Sequence, residues 1–305
     1  MALHDTHDRH DHHGHDRSRE TRSLRLTLLL TGTILVVEVV GGLLSGSLAL
    51  LSDAGHMLGD VSAVVLSMLA LRLAGRAADT LRTYGWYRLE ILAALANGVV
   101  LLGIATFVVL EAIERLRSPQ PVDSMLMLGV AVIGLAANAA ALFVLHGSRS
   151  NLNVRSVFLH VMGDALSSVG VVVGAVLIAV TGNTMIDPIL SCVIGVIITI
   201  GAVSLVRESA HILLEGVPAH IDATAVGGRI LDVPGVEAVH DLHIWCLTSD
   251  RVALSAHIVV PPGNDMEESG RILHAVEALL VQEYAISHAT LQIEARGYEH
   301  VAEIH

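Results

Sequence analysis

Six apolar runs, each about long enough to cross a bilayer as a helix, constrain this sequence more than any other feature. A membrane-spanning helix needs about 20 mainly apolar residues. Turn-like breaks separate the runs, and no long insertion interrupts them. Only 16% of the residues are charged, fewer than in most soluble domains, so composition also favours a membrane protein. The predicted spans are Leu24–Ser45, Leu48–Leu73, Leu89–Ile113, Met125–His146, Asn151–Val180 and Ile186–Leu205.

The distribution of arginine predicts the orientation of these spans. Six spans place both termini on one side of the membrane, and that side carries most of the arginines near the spans. Only Arg115 and Arg117 lie on the other side. Because cytoplasmic loops are enriched in positive charge, both termini are predicted to be cytoplasmic, in an integral protein of a bacterial inner membrane. The arginines on the predicted cytoplasmic side are Arg9, Arg17, Arg19, Arg22, Arg25, Arg72, Arg76, Arg82, Arg88, Arg149, Arg155 and Arg207.

The two ends of the chain differ in composition from the spans. Residues 1–23 are polar, rich in His and Asp, and expected to be disordered. Residues 24–206 form the predicted transmembrane domain, and residues 207–305 have the composition of a soluble domain. Periodicity in this last segment predicts the order αββαβ: a helix at Ile221–Leu231, strands at Val236–Cys246 and Arg251–Val260, a helix at Asp265–Tyr284 and a strand at His288–Ala295.

Ionisable residues are costly inside a membrane and need a functional reason, and two of the predicted spans carry them as His/Asp pairs. Span two contains His56 and Asp60, and span five contains His160 and Asp164. Residues four apart lie on one face of a helix, one turn from each other. Each span therefore presents one imidazole and one carboxylate in the same direction, and the two spans together offer four ligands to a metal ion.

This combination of nitrogen and oxygen donors favours zinc. Zinc binds His and carboxylate groups in tetrahedral geometry, whereas all-oxygen sites suit Mn or Mg and thiolate sites suit Cu(I). Cobalt, nickel and cadmium are alternatives. The two pairs lie at the same depth only if helix five starts near Asn151. Asn151, Asn153 and Arg155 would then line a water-filled vestibule on the cytoplasmic side.

Other polar residues in the predicted spans have more than one interpretation. Asp53 lies on the same helical stripe as the pair in span two, where it either guides ions or caps the helix. Glu38, Asn97 and Asn138 are single polar residues in spans one, three and four, and interhelical hydrogen bonding is the favoured role for each. Interhelical hydrogen bonding is also the alternative role for the His/Asp pairs, but the presence of two identical pairs in two spans disfavours it.

Five segments of the sequence together form a family-specific pattern: Gly46–Asp60, Tyr84–Glu90, His160–Asp164, Asp187-Pro188 and His240–Trp245. With these segments the sequence resembles the cation diffusion facilitator family over about residues 22–296. The His/Asp pairs resemble those of the zinc-preferring branch. Members of that family with Asp in place of the first His bind a broader set of ions, and manganese-branch members carry Asp pairs in both helices.

The resemblance implies a fold and a mode of action. It implies a membrane α-helical protein with six transmembrane helices, a C-terminal α+β ferredoxin-like (αββαβ) cytoplasmic domain, a homodimer and metal-for-proton exchange. His56, Asp60, His160 and Asp164 match the family's transport site position by position. Some members have a second metal site between spans two and three. That loop contains Asp79 and no His here, so we expect the site to be absent.

The resemblance also implies metal ligands in the cytoplasmic domain, where family members bind structural or regulatory metal. His240, His257 and Glu294 stand at positions resembling those ligands. Gly270 and Gln292 stand where some members have His.

The residue pattern of the last predicted strand can be interpreted without the family resemblance. His288, Gln292 and Glu294 alternate onto one face of the strand, which is either a metal-binding or a solvated polar face. His243 and His274 are weaker candidates. For the His-rich tail, weak metal capture and simple solvation both remain open.

The pattern as a whole predicts secondary transport rather than catalysis. Metal binding needs neutral His and ionised Asp, so protons leave as Zn²⁺ enters, and a site open alternately to each face would exchange metal for protons. The sequence has no phosphate-binding glycine loop for ATP and no His-Glu-x-x-His protease motif, and no nucleic-acid partner is expected. A passive divalent-cation channel and a metal-responsive membrane sensor are the alternatives. The channel is disfavoured because four of the spans are too apolar to line a pore.

Overall fold

The computed structural model describes residues 12–74, 79–146, 152–248 and 251–297. Within these ranges the side chains of residues 12–27, 67, 70–71, 73–74, 144–146, 152–157 and 160 are outside the description. The chain divides into two compact units. The first comprises Met1–Leu66 with Ala96–Ser204, and the second comprises Ser67–Leu95 with Leu205–His305.

Six long helices account for the predicted spans: α1 (His12–Ser45), α2 (Leu48–Ala74), α3 (Leu89–Arg117), α4 (Ser124–His146), α5 (Leu152–Thr181) and α6 (Ile186–Leu213). All six are long and apolar enough to cross a membrane, which confirms the predicted fold class. Two helices extend beyond the apolar runs that predicted them. α1 begins earlier, inside the segment expected to be disordered, and α6 ends later. Arg and Glu are good helix formers, so polar sequence can continue a helix that an apolar run has started.

Large apolar side chains point outward from the helices. Phe107, Phe143 and Leu166 are 65%, 84% and 73% exposed, far more than a soluble domain tolerates in a continuous patch. In a bilayer these side chains contact lipid, and the helices satisfy their own backbone hydrogen bonds.

The interior of the first unit is filled by small and branched residues from α2, α4 and α5. Ala49 and Leu50 pack against Met127, Val171 and Ala175, and α4 lies against both α1 and α5. Small residues allow transmembrane helices to approach closely, and van der Waals packing then stabilises the bundle.

The soluble part of the second unit has the predicted order αββαβ. α7 (Ala223–Leu231) precedes β1 (Ala238–Thr248) and β2 (Arg251–Val260), and α8 (Met266–Tyr284) precedes β3 (His288–Ala295). β1 pairs with β2 in antiparallel register, and β2 pairs with β3 in parallel register. A parallel neighbour requires a crossover connection, which α8 provides.

One face of this sheet is covered by the apolar stripes of the two helices. Ile272, Val276 and Leu280 are buried at four-residue spacing along α8 and pack with Leu254 and Ile258 of β2. The metal-binding candidates therefore lie on strands whose positions are fixed by a hydrophobic core.

Candidate metal centres

The first cluster lies between α2 and α5, as the sequence predicted. His56 Nε2 lies 3.8 Å from Asp60 Oδ2 and 3.4 Å from Asp164 Oδ1. One ligand atom from each of the three residues lies within 4.8 Å of the other two. His160 belongs to α5, but its side chain is outside the described residues, and it remains a predicted ligand.

These separations match what a small tetrahedral ion requires. With metal–ligand bonds of about 2.0 Å, tetrahedral geometry places donor atoms about 3.3 Å apart. The two distances from His56 Nε2 are 3.4 and 3.8 Å. A small inward movement of the Asp60 carboxylate would bring its distance from His56 Nε2 close to this value, and a tetrahedral shell would still need a fourth donor. The donors are an imidazole nitrogen and carboxylate oxygens, a set that suits Zn²⁺.

α3 packs against α2, the helix that carries His56 and Asp60. A Cβ atom on Gly59 would lie 2.5 Å from Leu101, and one on Gly55 would lie 2.9 Å from Ile104. Asn97 also donates a hydrogen bond to the carbonyl of Gly59, at 3.2 Å. The glycine face of α2 thus packs closely on α3 beside the candidate metal ligands.

The start of α5 agrees with the depth argument made from the sequence. α5 begins at Leu152, and ligand atoms of Asp60 and Asp164 lie within 4.8 Å of each other. The predicted vestibule residues cannot be assigned in the same way, because Asn151 and the side chains of Asn153 and Arg155 lie outside the described residues.

Asp53 does not cap α2, which rules out one of its two interpretations. The helix begins five residues earlier, at Leu48. The Asp53 side chain is 4% exposed, and its Oδ1 accepts a hydrogen bond from Ser167 Oγ of α5 at 2.7 Å. It therefore joins the same two helices as the metal cluster.

The other polar residues of the spans do contact neighbouring helices. Asn138 of α4 donates a hydrogen bond to Ser168 of α5 at 3.1 Å, and Asn97 binds α2 as described above. Glu38 is 1% exposed and packs against Gly134 of α4, where an added Cβ would lie 2.6 Å from Glu38 Oε1. Interhelical hydrogen bonding is confirmed for Asn97 and Asn138, whereas Glu38 packs against α4 with Oε2 buried and without a hydrogen-bond partner among the described residues.

A cavity of about 520 Å³ lies beside the cluster. His56, Asp164 and Ser167 contribute its polar wall, and apolar residues of α5 and α6 form the remainder. The polar groups of this cavity are thus two candidate ligands and the hydroxyl group that donates a hydrogen bond to Asp53.

The second cluster lies on the three-stranded sheet. His240 Nε2 and His257 Nδ1 lie 3.1 and 2.9 Å from the two carboxylate oxygens of Glu294. The strand register explains this meeting, since His240 is opposite His257 and Gln292 is opposite His257 on the other side. Gln292 Nε2 donates a hydrogen bond to Glu294 Oε1 at 2.8 Å. Gln292 therefore holds the carboxylate in place and adds no charge.

Asp241 joins this cluster although the sequence analysis did not select it. Ligand atoms of Asp241, His240 and His257 lie within 4.8 Å of one another. Neighbours in a regular strand point to opposite faces, but β1 has a register shift between His240 and His243, and Asp241 adopts φ +48°. This β-bulge turns Asp241 towards the ligands. The only sequence signal was its residue type, since Asp tolerates positive φ better than most residues.

The weaker candidates do not belong to the cluster as described. His288 contacts the ring of Tyr84 edge-on, with centroids 5.7 Å apart. His243 lines a separate cavity with Trp245, and His274 lies on the exposed face of α8. Cys246 is buried in β1, and burial raises the pKa of its thiol, which makes it a poor metal ligand near neutral pH.

Family models match almost the whole chain. A cation efflux transmembrane domain matches residues 24–214. A cation efflux protein cytoplasmic domain matches residues 218–296. The first match alone covers more than half of the sequence.

Curated relatives match over similar lengths. The chain is 42% identical to the metal cation efflux system protein CzcD of Cupriavidus metallidurans over 90% of this chain and 86% of the relative. It is 41% identical to the zinc transporter ZitB of Escherichia coli over 87% of this chain and 84% of the relative. It is 38% identical to a cadmium, cobalt and zinc/H(+)-K(+) antiporter of Bacillus subtilis over 90% of this chain and 88% of the relative.

A solved structure also matches part of the chain. It is the metal-bound C-terminal domain of the CzcD transporter from the Cupriavidus species, with 36% identity over 24% of this chain and 99% of that chain, and a TM-score of 0.23.

Proposed function

Because the chain belongs to the cation diffusion facilitator family of cation efflux transporters, in its zinc-type branch, we propose that it exports Zn²⁺ from the cytoplasm in exchange for protons. Metal cation efflux is the function of the family. Zn²⁺ as the exported ion and the proton as its counter-ion are what we propose for this chain. Cd²⁺, Co²⁺ and Ni²⁺ are secondary substrates, since each accepts the same nitrogen and oxygen donors.

The cluster between α2 and α5 is the observation that carries the proposal. His56, Asp60 and Asp164 converge at distances that suit zinc, and His160 is proposed as the fourth ligand. The ligands come from two helices, so relative movement of the helices would expose the ion to one face of the membrane and then to the other.

Proton exchange follows from the chemistry of the ligands. Zinc binds neutral imidazole and ionised carboxylate. Protons bound to the empty site are displaced when zinc enters from the cytoplasm, and protons from the outer side replace zinc when it leaves. The export of metal is thereby coupled to proton entry, with both termini and the soluble domain on the cytoplasmic side of a bacterial inner membrane.

We further propose that a resident zinc binds in the soluble domain. His240, His257, Glu294 and Asp241 would hold it. The two histidines contact the carboxylate of Glu294, and ligand atoms of His240, Asp241 and His257 lie within 4.8 Å of one another. The matched cytoplasmic domain is a dimer-forming type, and a homodimer is the proposed assembly.

Zinc flux in proteoliposomes tests the central proposal. The full chain is reconstituted, and uptake of zinc into inside-out vesicles is measured with and without an acidic lumen. We expect uptake to rise with the proton gradient and the lumen to become more alkaline as zinc enters. Zinc flux that does not depend on the proton gradient would indicate a channel. Zinc binding without flux would indicate a sensor.

A further inference from the structure

The turn between α1 and α2 is held by three other parts of the first unit. Ser45 O accepts a hydrogen bond from the backbone of Asp123, which precedes α4, at 2.8 Å. Gly46 O accepts a hydrogen bond from the Arg115 guanidinium of α3 at 2.5 Å. Gly46 has φ +72°, and a Cβ atom there would lie 2.9 Å from the carbonyl of Pro121. The turn therefore has little freedom to move.

The third contact comes from α6 and caps α2. Asp187 Oδ1 accepts hydrogen bonds from Ser47 Oγ at 2.6 Å and from Ala49 N at 3.2 Å, and Oδ2 accepts one from Leu48 N at 2.8 Å. The first N–H groups of a helix have no partner within the helix, and negative charge is favourable there. Ser47 Oγ, directly before α2, accepts a hydrogen bond from Leu50 N at 3.2 Å, and α2 receives a second, charged cap from another helix.

The charge of Asp187 is itself compensated. The side chain is fully buried, and Arg115 NH1 lies 4.0 Å from Asp187 Oδ2. Arg115 also donates a hydrogen bond to Glu111 of its own helix at 2.9 Å. A buried carboxylate with three donors and a nearby guanidinium is costly to disrupt, because removal of one partner leaves another uncompensated.

We propose that Asp187 is a positioning residue for the metal-bearing helix: it fixes the start of α2 to α6 and α3, so that α2 moves at its opposite end during transport. His56 and Asp60 lie about 12 and 18 Å along the helix from Leu48, at 1.5 Å per residue. A tilt of about 5° about the fixed end would displace Asp60 by about 1.6 Å. That displacement is enough to open the metal shell. This inference rests on the proposed function.

Substitution of Asp187 tests the proposal against an ordinary capping role. Asp187→Asn keeps the size of the side chain but loses its charge and one acceptor. Asp123→Asn is the matched control, because Asp123 caps its own helix at the same end of the bundle, with Oδ1 accepting from Met125 N and Leu126 N.

The two variants are expected to differ in turnover rather than in affinity. Per folded molecule, Asp187→Asn should lower the maximal zinc flux about tenfold, a loss comparable with that of one charge-assisted contact. The zinc concentration for half-maximal flux should change little, since the ligands are intact. Asp123→Asn should leave both values near those of the unsubstituted chain. Equal turnover in the two variants would overturn the proposal.

A covalent link offers a rescue experiment. Ser47→Cys and Asp187→Cys are combined in a chain that carries Cys192→Ala and Cys246→Ala. The reduced protein should transport slowly because the cap is lost, and oxidation to the disulfide should restore turnover because the fixed end is re-formed. Slower transport after oxidation would mean that this end must open, which contradicts the proposal.

Distances between helices provide a test that does not depend on flux. Spin labels at Val64 and Ile200, both exposed residues beyond the metal cluster, should change their separation when zinc is added. Labels at Leu44 and Ile189, which are exposed near the fixed end, should keep theirs. If zinc changes the distance between the labels by the same amount in both pairs, the proposal is wrong. This conclusion holds whether or not zinc is the transported ion.

Discussion

The two candidate metal clusters use the same side-chain chemistry on different scaffolds. In the first unit, His56 and Asp60 are one helical turn apart, and a second helix supplies Asp164. In the second unit, His240, His257 and Glu294 come from three strands, one residue from each. A helix can place two ligands from one short segment on the same face, whereas a sheet usually gathers its ligands from separate strands.

The scaffolds also differ in how much they let the ligands move. Two helices can slide or tilt relative to each other without loss of backbone hydrogen bonds, because those bonds lie within each helix. Strands cannot separate without breaking the hydrogen bonds between them. Thus the helical cluster suits an ion that must enter and leave, and the sheet cluster suits an ion that stays.

The largest expected effect is the loss of transport when the helical cluster loses a ligand. His56→Ala removes the nitrogen that faces both carboxylates, and zinc flux should fall more than about 100-fold, since even indirect supports of a metal site contribute 10–100-fold. Leu58→Ala, on a lipid-exposed position of the same helix, is the control. Substantial zinc flux in the His56 variant would remove the functional difference between the clusters.

The next effect concerns metal retention by the sheet cluster. Glu294→Gln removes the carboxylate that joins both histidines, and zinc affinity should fall about 100-fold. Binding is measured calorimetrically in a chain that also carries His56→Ala, so that the helical cluster contributes little. Glu277→Gln, on the exposed face of α8, is the control.

The same substitution also separates the clusters by function. Zinc at a hundredfold excess over its Kd stabilises a folded domain by about 2.7 kcal/mol, and Glu294→Gln should lose most of this gain. In the otherwise unsubstituted chain it should leave most of the zinc flux intact. Abolished flux would show that the sheet cluster belongs to the transport path.

A smaller effect tests the bulge that brings Asp241 into the sheet cluster. Asp241→Gly removes the carboxylate but tolerates φ +48°, so zinc affinity should fall about tenfold with the fold intact. Asp241→Ala should weaken binding similarly and also destabilise the domain by about 1 kcal/mol, because a Cβ atom disfavours that conformation. Unchanged zinc affinity in both variants would limit the cluster to three ligands.

The smallest effect concerns an ion pair away from both clusters. Arg229 of α7 donates two hydrogen bonds to Glu283 of α8, and Arg229 lowers the pKa of Glu283 below its usual value. Both side chains are exposed, so Arg229→Ala should lower Tm by less than about 4 °C at pH 7. Zinc affinity should not change.

The pH dependence of this last effect has a definite sign. A carboxyl group with a lowered pKa in the folded state stabilises the fold above its ordinary pKa, and this contribution disappears as the pH falls through the lowered value. The difference in Tm between the unsubstituted chain and Arg229→Ala should therefore shrink as the solution is acidified. A constant difference would assign the effect to lost packing of the Arg229 side chain.

Local patterns in the sequence predicted most of the fold. The bounds of β2 and β3 agree with the predicted ones, and α2 to α4 agree within a few residues at each end. The pairing of His56 with Asp60 was also predictable, because four-residue spacing has a fixed meaning on a helix. By contrast, the ends of α1 and α6 were missed because no apolar boundary marks them.

Long-range contacts could not be predicted in the same way. Asp187 was visible only as part of a family pattern, and its partner Ser47 is 140 residues away along the chain. Asp241 was missed because strand alternation places it on the wrong face, and only the register shift in β1 reverses that.

The sequence by itself determined which segments are helices or strands, which helices are apolar and long enough to span a membrane, and which of them carry the His/Asp pairs that we propose bind zinc. These properties depend on side-chain period and polarity over a few turns of chain. The tertiary structure decided that Asp164 approaches His56, that Asp241 joins the sheet cluster and that Asp187 holds the start of α2. Each depends on how two distant segments pack or pair, and the free energy of that packing is not encoded in the spacing of either segment alone.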